Sequence, residues 1–142
     1  MKKIIFVCLG NICRSSLAEG VTKARVEALG LEVQIDSAGL SSYHNGEVPC
    51  MISQRLAKEH GLDISHQVSQ HVSEFDLFSY DLVVAMDESN KVELESMGIQ
   101  NLKKMGDFGF VGKDVADLYY EPEKIGEVWQ IISEGVERIL TS

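Results

Sequence analysis

Cys8-Leu9-Gly10-Asn11-Ile12-Cys13-Arg14-Ser15 is the stretch that decides how the rest of this chain reads. An apolar run, Ile4-Ile5-Phe6-Val7, leads into it, and apolar residues at Leu17, Val21, Ala24 and Ala28 follow it. The run reads as a buried strand, and the spacing after it as one face of a helix. A cysteine therefore sits where a strand passes into a loop, and an arginine sits where the loop becomes a helix. Unpaired backbone N–H groups and the positive end of the helix dipole converge on such a place, which suits an anion. The same field favours a thiolate at Cys8. Arg14 adds a fixed charge and a planar fork of donors that matches two phosphate oxygens. A nucleophile, an anion cradle and a bidentate clamp in one short stretch point to phosphoryl transfer through a cysteinyl-phosphate. The stretch is neither a Walker A loop, since no Lys-Ser/Thr follows the glycine, nor a G-x-G-x-x-G fingerprint.

Composition limits the setting. The chain has 142 residues, 44% of them hydrophobic and 25% charged, which fits one globular domain with its own core. A formal net charge of −9 argues against nucleic acid as a partner, because phosphate backbones need a basic face. It leaves a phosphorylated substrate open, since the field in a cleft can oppose the net charge. Met1-Lys2-Lys3 and the apolar run after it are too short for a signal peptide, and no segment is long enough to span a membrane. Three cysteines, a small and odd number, read as reduced thiols of a cytoplasmic protein rather than a disulfide framework. The four histidines lack metal-ligand spacing with the cysteines, and Cys8-x4-Cys13 is a poor zinc pattern, so no metal and no cofactor are expected.

Outward from the loop, the chain alternates strands with helices. The first helix should end at Gly30, and Glu32–Ser37 alternates polar and apolar as a strand does. Residues 37–46 read as loop by composition. Pro49 suits the first turn of a helix running through Ile52 and Leu56 to Gly61. Tyr80–Met86 is a third strand, and Asp87 reads as the N-cap of a helix closing at Gly98. A short fourth strand is expected near Leu102–Met105, then a loop from Gly106 to Asp117. The last helix is expected to start at Pro122, with Ile125, Val128, Ile132, Val136 and Ile139 on one face. Such alternation means an α/β fold, a parallel sheet with helices on both faces, and sites at the carboxyl ends of its strands. Cys8 lies at such an end.

The stretch from Cys8 to Ser15 resembles the phosphate-binding loop of the low-molecular-weight protein tyrosine phosphatases, including Asn11 and the second cysteine. Three further segments resemble that family. They are Ser37-Ala38-Gly39, Ala85-Met86-Asp87-Glu88-Ser89-Asn90 and Asp117-Leu118-Tyr119-Tyr120. The resemblance implies one domain over residues 1–142 and a four-stranded parallel sheet in the order 2-1-3-4. It implies Cys8 as nucleophile and Asp117 as general acid. Leu9, Gly10, Asn11, Ile12, Cys13, Arg14 and Ser15 would form the phosphate cradle. Ser15 would also donate to the Cys8 sulfur, while Asn11 would hold the loop's shape through Ser15, Ser37 and His66. Leu9, Tyr43 and Tyr119 would wall the pocket. Leu118 departs from the family's proline and puts the rigidity of the acid's loop in question. Isoleucine at position 12, where the arginine-phosphatase branch of the family carries threonine, favours tyrosine.

The function expected from this is hydrolysis of phosphotyrosine in a protein substrate, releasing inorganic phosphate, by a monomer. Two rivals are a thioredoxin-coupled arsenate reductase of the same fold and a phosphate-binding interaction module without turnover. The reductase needs a relay of cysteines beyond the loop, where only Cys50 is found. A thiolate at Cys8 is also the sulfur most readily oxidised, and Cys13 is expected as its redox partner in a Cys8–Cys13 disulfide.

Overall fold

The computed structural model describes residues 2–141. Four strands, β1 (Lys3–Cys8), β2 (Gln34–Gly39), β3 (Leu82–Ala85) and β4 (Leu102–Lys104), form one sheet in the order β2-β1-β3-β4. All pairings are parallel. The main helices are α1 (Arg14–Leu29), α2 (Met51–Glu59), α3 (Glu88–Ser96) and α4 (Ile125–Thr141). β1 lies between β2 and β3, so both its edges are paired, and a core covers each face of it, so both faces are apolar. Ile4, Phe6 and Cys8 face one core, which holds Leu17, Val21, Leu56, Val128, Ile132, Val136 and Ile139 from α1, α2 and α4. Ile5 and Val7 face the other, with Val72, Leu77, Tyr80, Leu94 and Ile99. Phe6 is fully buried, and Phe6→Ala would cost about 3–5 kcal/mol.

Local chemistry sets the ends of the elements. Gly30 takes a left-handed backbone, φ 66°, and closes α1, as a Cβ-bearing residue would do only under strain. Asp87 caps α3 by accepting from the Asn90 N–H at 2.8 Å. Several boundaries differ from the sequence reading. Ser37-Ala38-Gly39 continues β2 because its backbone pairs with Phe6-Val7-Cys8, a non-local partner that composition does not reveal. Pro49 precedes the N-cap Cys50 of α2 rather than opening the helix. Pro122 opens a single 3₁₀ turn, Pro122–Lys124, that leads into α4. The result that matters for function is convergence: β1 ends at Cys8, β2 at Gly39 and β3 just before Asp87, all on one rim of the sheet.

Candidate active site

The loop after β1 owes its shape to where its carbonyls go. Cys8 O accepts from Leu40 N at 3.0 Å and Leu9 O from Ser41 N at 2.9 Å. Gly10 O accepts from the Ser69 hydroxyl at 2.9 Å. Ile12 O accepts from Cys50 N at 2.7 Å, and Cys13 O from the Ser53 hydroxyl at 2.8 Å. In a planar trans peptide the next residue's N–H points the opposite way from each carbonyl. With the carbonyls tied outward, the N–H groups of residues 9, 10, 11, 13 and 14 turn toward the concave side. Asn11 N shows this directly, donating to the Cys8 sulfur at 3.2 Å. Gly39 is needed beside this turn, because a Cβ there would come within 3.1 Å of the Leu9 carbonyl and 3.2 Å of the Asn11 Cβ.

Asn11 holds the loop from inside. Its backbone is left-handed, φ 56°, a conformation that asparagine tolerates better than most residues. Its Nδ2 donates to Ser15 Oγ at 2.7 Å and to Ser37 Oγ at 2.9 Å, using both amide hydrogens. Its Oδ1 accepts from Gln70 N at 3.0 Å, which fixes the amide's orientation. Ser37 passes its own hydrogen to the Glu19 carboxylate. Ser15 Oγ, already an acceptor, is left to donate to the Cys8 sulfur, 3.0 Å away. His66 takes no part in this network. It is solvent-exposed, and the backbone N–H of Gln70 fills the place expected for it. A backbone donor leaves no mark on sequence, which is why that expectation fails.

Arg14 is 4% exposed. Its Nη1 lies 2.6 Å from Asp87 Oδ2 and donates to the Val115 carbonyl at 3.2 Å; Nη2 stands 3.6 Å from Asp117 Oδ2. Burial alone would lower the pKa of this guanidinium. The Cys8 charge, the Asp87 hydrogen bond and the fields of Asp117 and Asp87 outweigh burial and hold it above its ordinary value. The cation therefore stays charged beside the thiol. The sequence gives Asp87 only a capping role. Its position at the carboxyl end of β3 was the signal that it also reaches the site.

A cavity of about 460 Å³ opens over the loop, and Cys8, Leu9, Gly10, Ile12, Cys13, Arg14, Tyr43, Asp117 and Tyr119 line it. Ser41, His44 and Tyr120 line it too, though the sequence reading did not include them. The imidazole of His44 packs edge-on to Tyr43 at 4.8 Å and lies over Gly10, where a Cβ would come within 3.1 Å of it. Tyr119 and Tyr120 pack edge to face at 5.1 Å. The rim is thus aromatic and the floor polar.

Asp117 lines the same cavity, beside Arg14. Its Oδ1 accepts from Tyr119 N at 3.0 Å, and its carbonyl accepts from Tyr120 N and Glu121 N. Leu118, in place of proline, is 1% exposed. The loop is anchored by that buried side chain and by the turn around Asp117 rather than by a fixed proline angle. Asp114 points elsewhere: it accepts from Glu88 N at 3.0 Å and pairs with Lys104 at 2.6 Å.

The cysteines depart from expectation. Cys13 is joined by a disulfide to Cys50, with Cα atoms 5.3 Å apart, and Cys8 is the free cysteine. The expected set of three reduced thiols is corrected on this point, since Cys13 is here bonded to Cys50 and not to Cys8. Cys50 is the N-cap of α2, and the Cys50 N to Ile12 O bond brings its side chain against the loop. Nothing in the spacing of residues 13 and 50 announces that contact.

Comparison with known proteins agrees with this geometry. Residues 3–142 match the family model described as low molecular weight phosphotyrosine protein phosphatase. A Bacillus subtilis protein, the low molecular weight protein-tyrosine-phosphatase YfkJ, is 37% identical, with 100% of this chain and 96% of its own length covered. Its crystal structure superposes with a TM-score of 0.89, covering 99% of this chain and 92% of that one, at 36% identity. A Drosophila arginine phosphatase superposes with a TM-score of 0.85 at 32% identity, over 99% of this chain and 96% of its own.

Proposed function

Because this chain belongs to the low molecular weight phosphotyrosine protein phosphatase family, whose general mechanism passes through a cysteinyl-phosphate, we propose that it hydrolyses phosphotyrosine in protein substrates. The observation that carries the reading is a single cavity lined by Cys8, Arg14, Asp117 and the rings of Tyr43 and Tyr119. In this account the phosphate sits in the cradle of inward N–H groups, with Arg14 neutralising its equatorial oxygens. The Cys8 thiolate attacks phosphorus, and the P–O bond to the phenol breaks. Asp117 gives its proton to the departing phenolate. The resulting Asp117 carboxylate then takes a proton from the water that attacks phosphorus and releases inorganic phosphate. Ser15 donates to the Cys8 sulfur and stabilises it as a leaving thiolate in that second step. Asp87 acts at one remove, by holding one end of the Arg14 guanidinium.

The apolar upper wall supports an aryl substrate. Ile12 and the Tyr43 and Tyr119 rings border the space above the cradle, where a phenyl ring gains burial and stacking. A phosphoserine side chain is too short to reach the cradle while using that wall. In this reading no cofactor takes part, and the protein works as a cytoplasmic monomer. Among the described residues no helix is long and apolar enough to cross a membrane.

The test is kcat/KM on one peptide carrying phosphotyrosine, phosphoserine or phosphoarginine. Phosphotyrosine should exceed the other two by at least about 100-fold, the scale that pocket contacts supply. A preference for phosphoarginine would move the chain to a different substrate class. Phosphate binding with no turnover on any peptide would favour an interaction module.

A further inference from the structure

Cys13 stands between two partners. On one side it is bonded to Cys50; on the other, it and Cys8 line the same cavity within one tight loop. Cys50 is half-buried, whereas Cys8 is 2% exposed. The loop carbonyls beside the disulfide are held by groups other than its sulfurs. Cys50 N holds Ile12 O, and the Ser53 hydroxyl, 3.2 Å from the Cys50 sulfur, holds Cys13 O. Opening the bond leaves both of these donors in place to hold the loop carbonyls.

We propose that Cys50 is a resolving thiol that moves oxidation off the nucleophile and stores it as Cys13–Cys50, leaving Cys8 free and the oxidised protein active. The proposal rests on the reading of Cys8 as the reactive thiolate. The substrates are a hydroperoxide and, to reset the cycle, a dithiol reductant. The Cys8 thiolate attacks a peroxide oxygen; the O–O bond breaks, giving Cys8 sulfenic acid and hydroxide. The Cys13 thiolate attacks the Cys8 sulfur, the S–O bond breaks, hydroxide leaves and Cys8–Cys13 forms. The Cys50 thiolate then attacks the Cys13 sulfur. The Cys8–Cys13 bond breaks, Cys8 departs as a thiolate with the electron pair, and Cys13–Cys50 remains. In sum, one hydrogen peroxide and two thiols give one disulfide and two waters. An external dithiol attacking at Cys50 would restore the start.

The test begins from fully reduced protein treated with one equivalent of hydrogen peroxide, followed by acid-quenched disulfide mapping and aryl phosphate hydrolysis over time, with no reductant present. The wild type should lose activity and then regain most of it, ending with Cys13–Cys50 joined and Cys8 open to alkylation. Cys50→Ser should match the untreated wild type before peroxide. After peroxide it should stop at Cys8–Cys13 and stay inactive until dithiothreitol is added. Cys8→Ser should form Cys13–Cys50 at least about 10-fold more slowly, since the low-reactivity thiols must then meet peroxide directly. A wild-type end state of Cys8–Cys13, recovery in Cys50→Ser equal to wild type, or undiminished disulfide formation in Cys8→Ser would each overturn the relay. Mapping follows the sulfurs even in a protein that hydrolyses nothing. Absent hydrolysis before peroxide would count against the proposed function and not against the relay.

Discussion

Replacing Asn11 by alanine tests the architecture of the loop more sharply than removing any group that touches substrate. Three side-chain hydrogen bonds are lost, to Ser15, Ser37 and Gln70, each worth about 0.5–1.5 kcal/mol net. Alanine must also hold the left-handed backbone of residue 11, at about 1–2 kcal/mol. Together these come to about 2.5–6.5 kcal/mol, a large part of the stability of an ordinary domain. Asn11→Gly loses the same bonds but accepts φ 56° freely, so it should be the milder variant despite glycine's greater chain entropy. The measurement is urea unfolding of the disulfide-intact protein, with and without phosphate. Phosphate should recover part of the loss, because it binds only the folded cradle. Activity should fall as well, by about 10-fold or more in kcat/KM, because Ser15 is no longer held with its hydrogen toward Cys8. Loss of under about 1 kcal/mol with unchanged kcat/KM, or glycine more destabilising than alanine, would refute the view that Asn11 imposes the loop's shape.

Asp117→Asn should slow phosphotyrosine by about 10²–10⁴-fold but an activated nitrophenyl ester far less, because only the poor leaving group needs the proton; equal losses on both would remove Asp117 as the acid. Asp114→Asn should leave both rates nearly unchanged, since Asp114 is spent on Lys104 and Glu88 N; a leaving-group-selective loss there would transfer the role to it. Asp87→Asn keeps a good N-cap but removes the carboxylate from Arg14, and should lower stability by about 1–3 kcal/mol, read as a lower urea midpoint. Burial and the hydrogen bond to Asp36 raise the Tyr80 pKa, so the folded protein keeps that proton where the unfolded chain loses it. Stability from this group is present below about pH 10, the unfolded value, and is lost as pH rises above it, so the wild type should weaken more steeply there than Tyr80→Phe.

Legibility in the sequence followed the range of the interactions. β1, α1 and α4 were readable because their periodicity is local, although α1 also buries Arg14, Ser15, Ser16 and Thr22 and leaves Ala28 exposed. The cradle was readable as a strand-loop-helix with a cysteine and an arginine at its ends. What holds the cradle was not: its outward carbonyls are met by Leu40 N, Ser41 N, Cys50 N and the hydroxyls of Ser53 and Ser69, residues 30 to 60 positions away with no shared pattern. His66 was expected where the Gln70 backbone stands, since any residue supplies a backbone N–H and none advertises it. Residues 62–79 carry no period. They contain the short 3₁₀ turns Val72–Glu74 and Leu77–Ser79, capped by His71 and Asp76 side chains. Cys50 shows the same limit, because its meaning depends on a partner 37 residues earlier in the chain.

The central claim is that phosphate passes through the sulfur of Cys8. Rapid acid quench during turnover of a ³²P-labelled phosphotyrosine peptide, followed by peptide mapping, tests it directly. The account predicts label as an S-phosphocysteine on the peptide containing Cys8, formed and lost at rates consistent with turnover, and none in Cys8→Ser. Label on another residue, or full turnover with no labelled protein at any time, would contradict it.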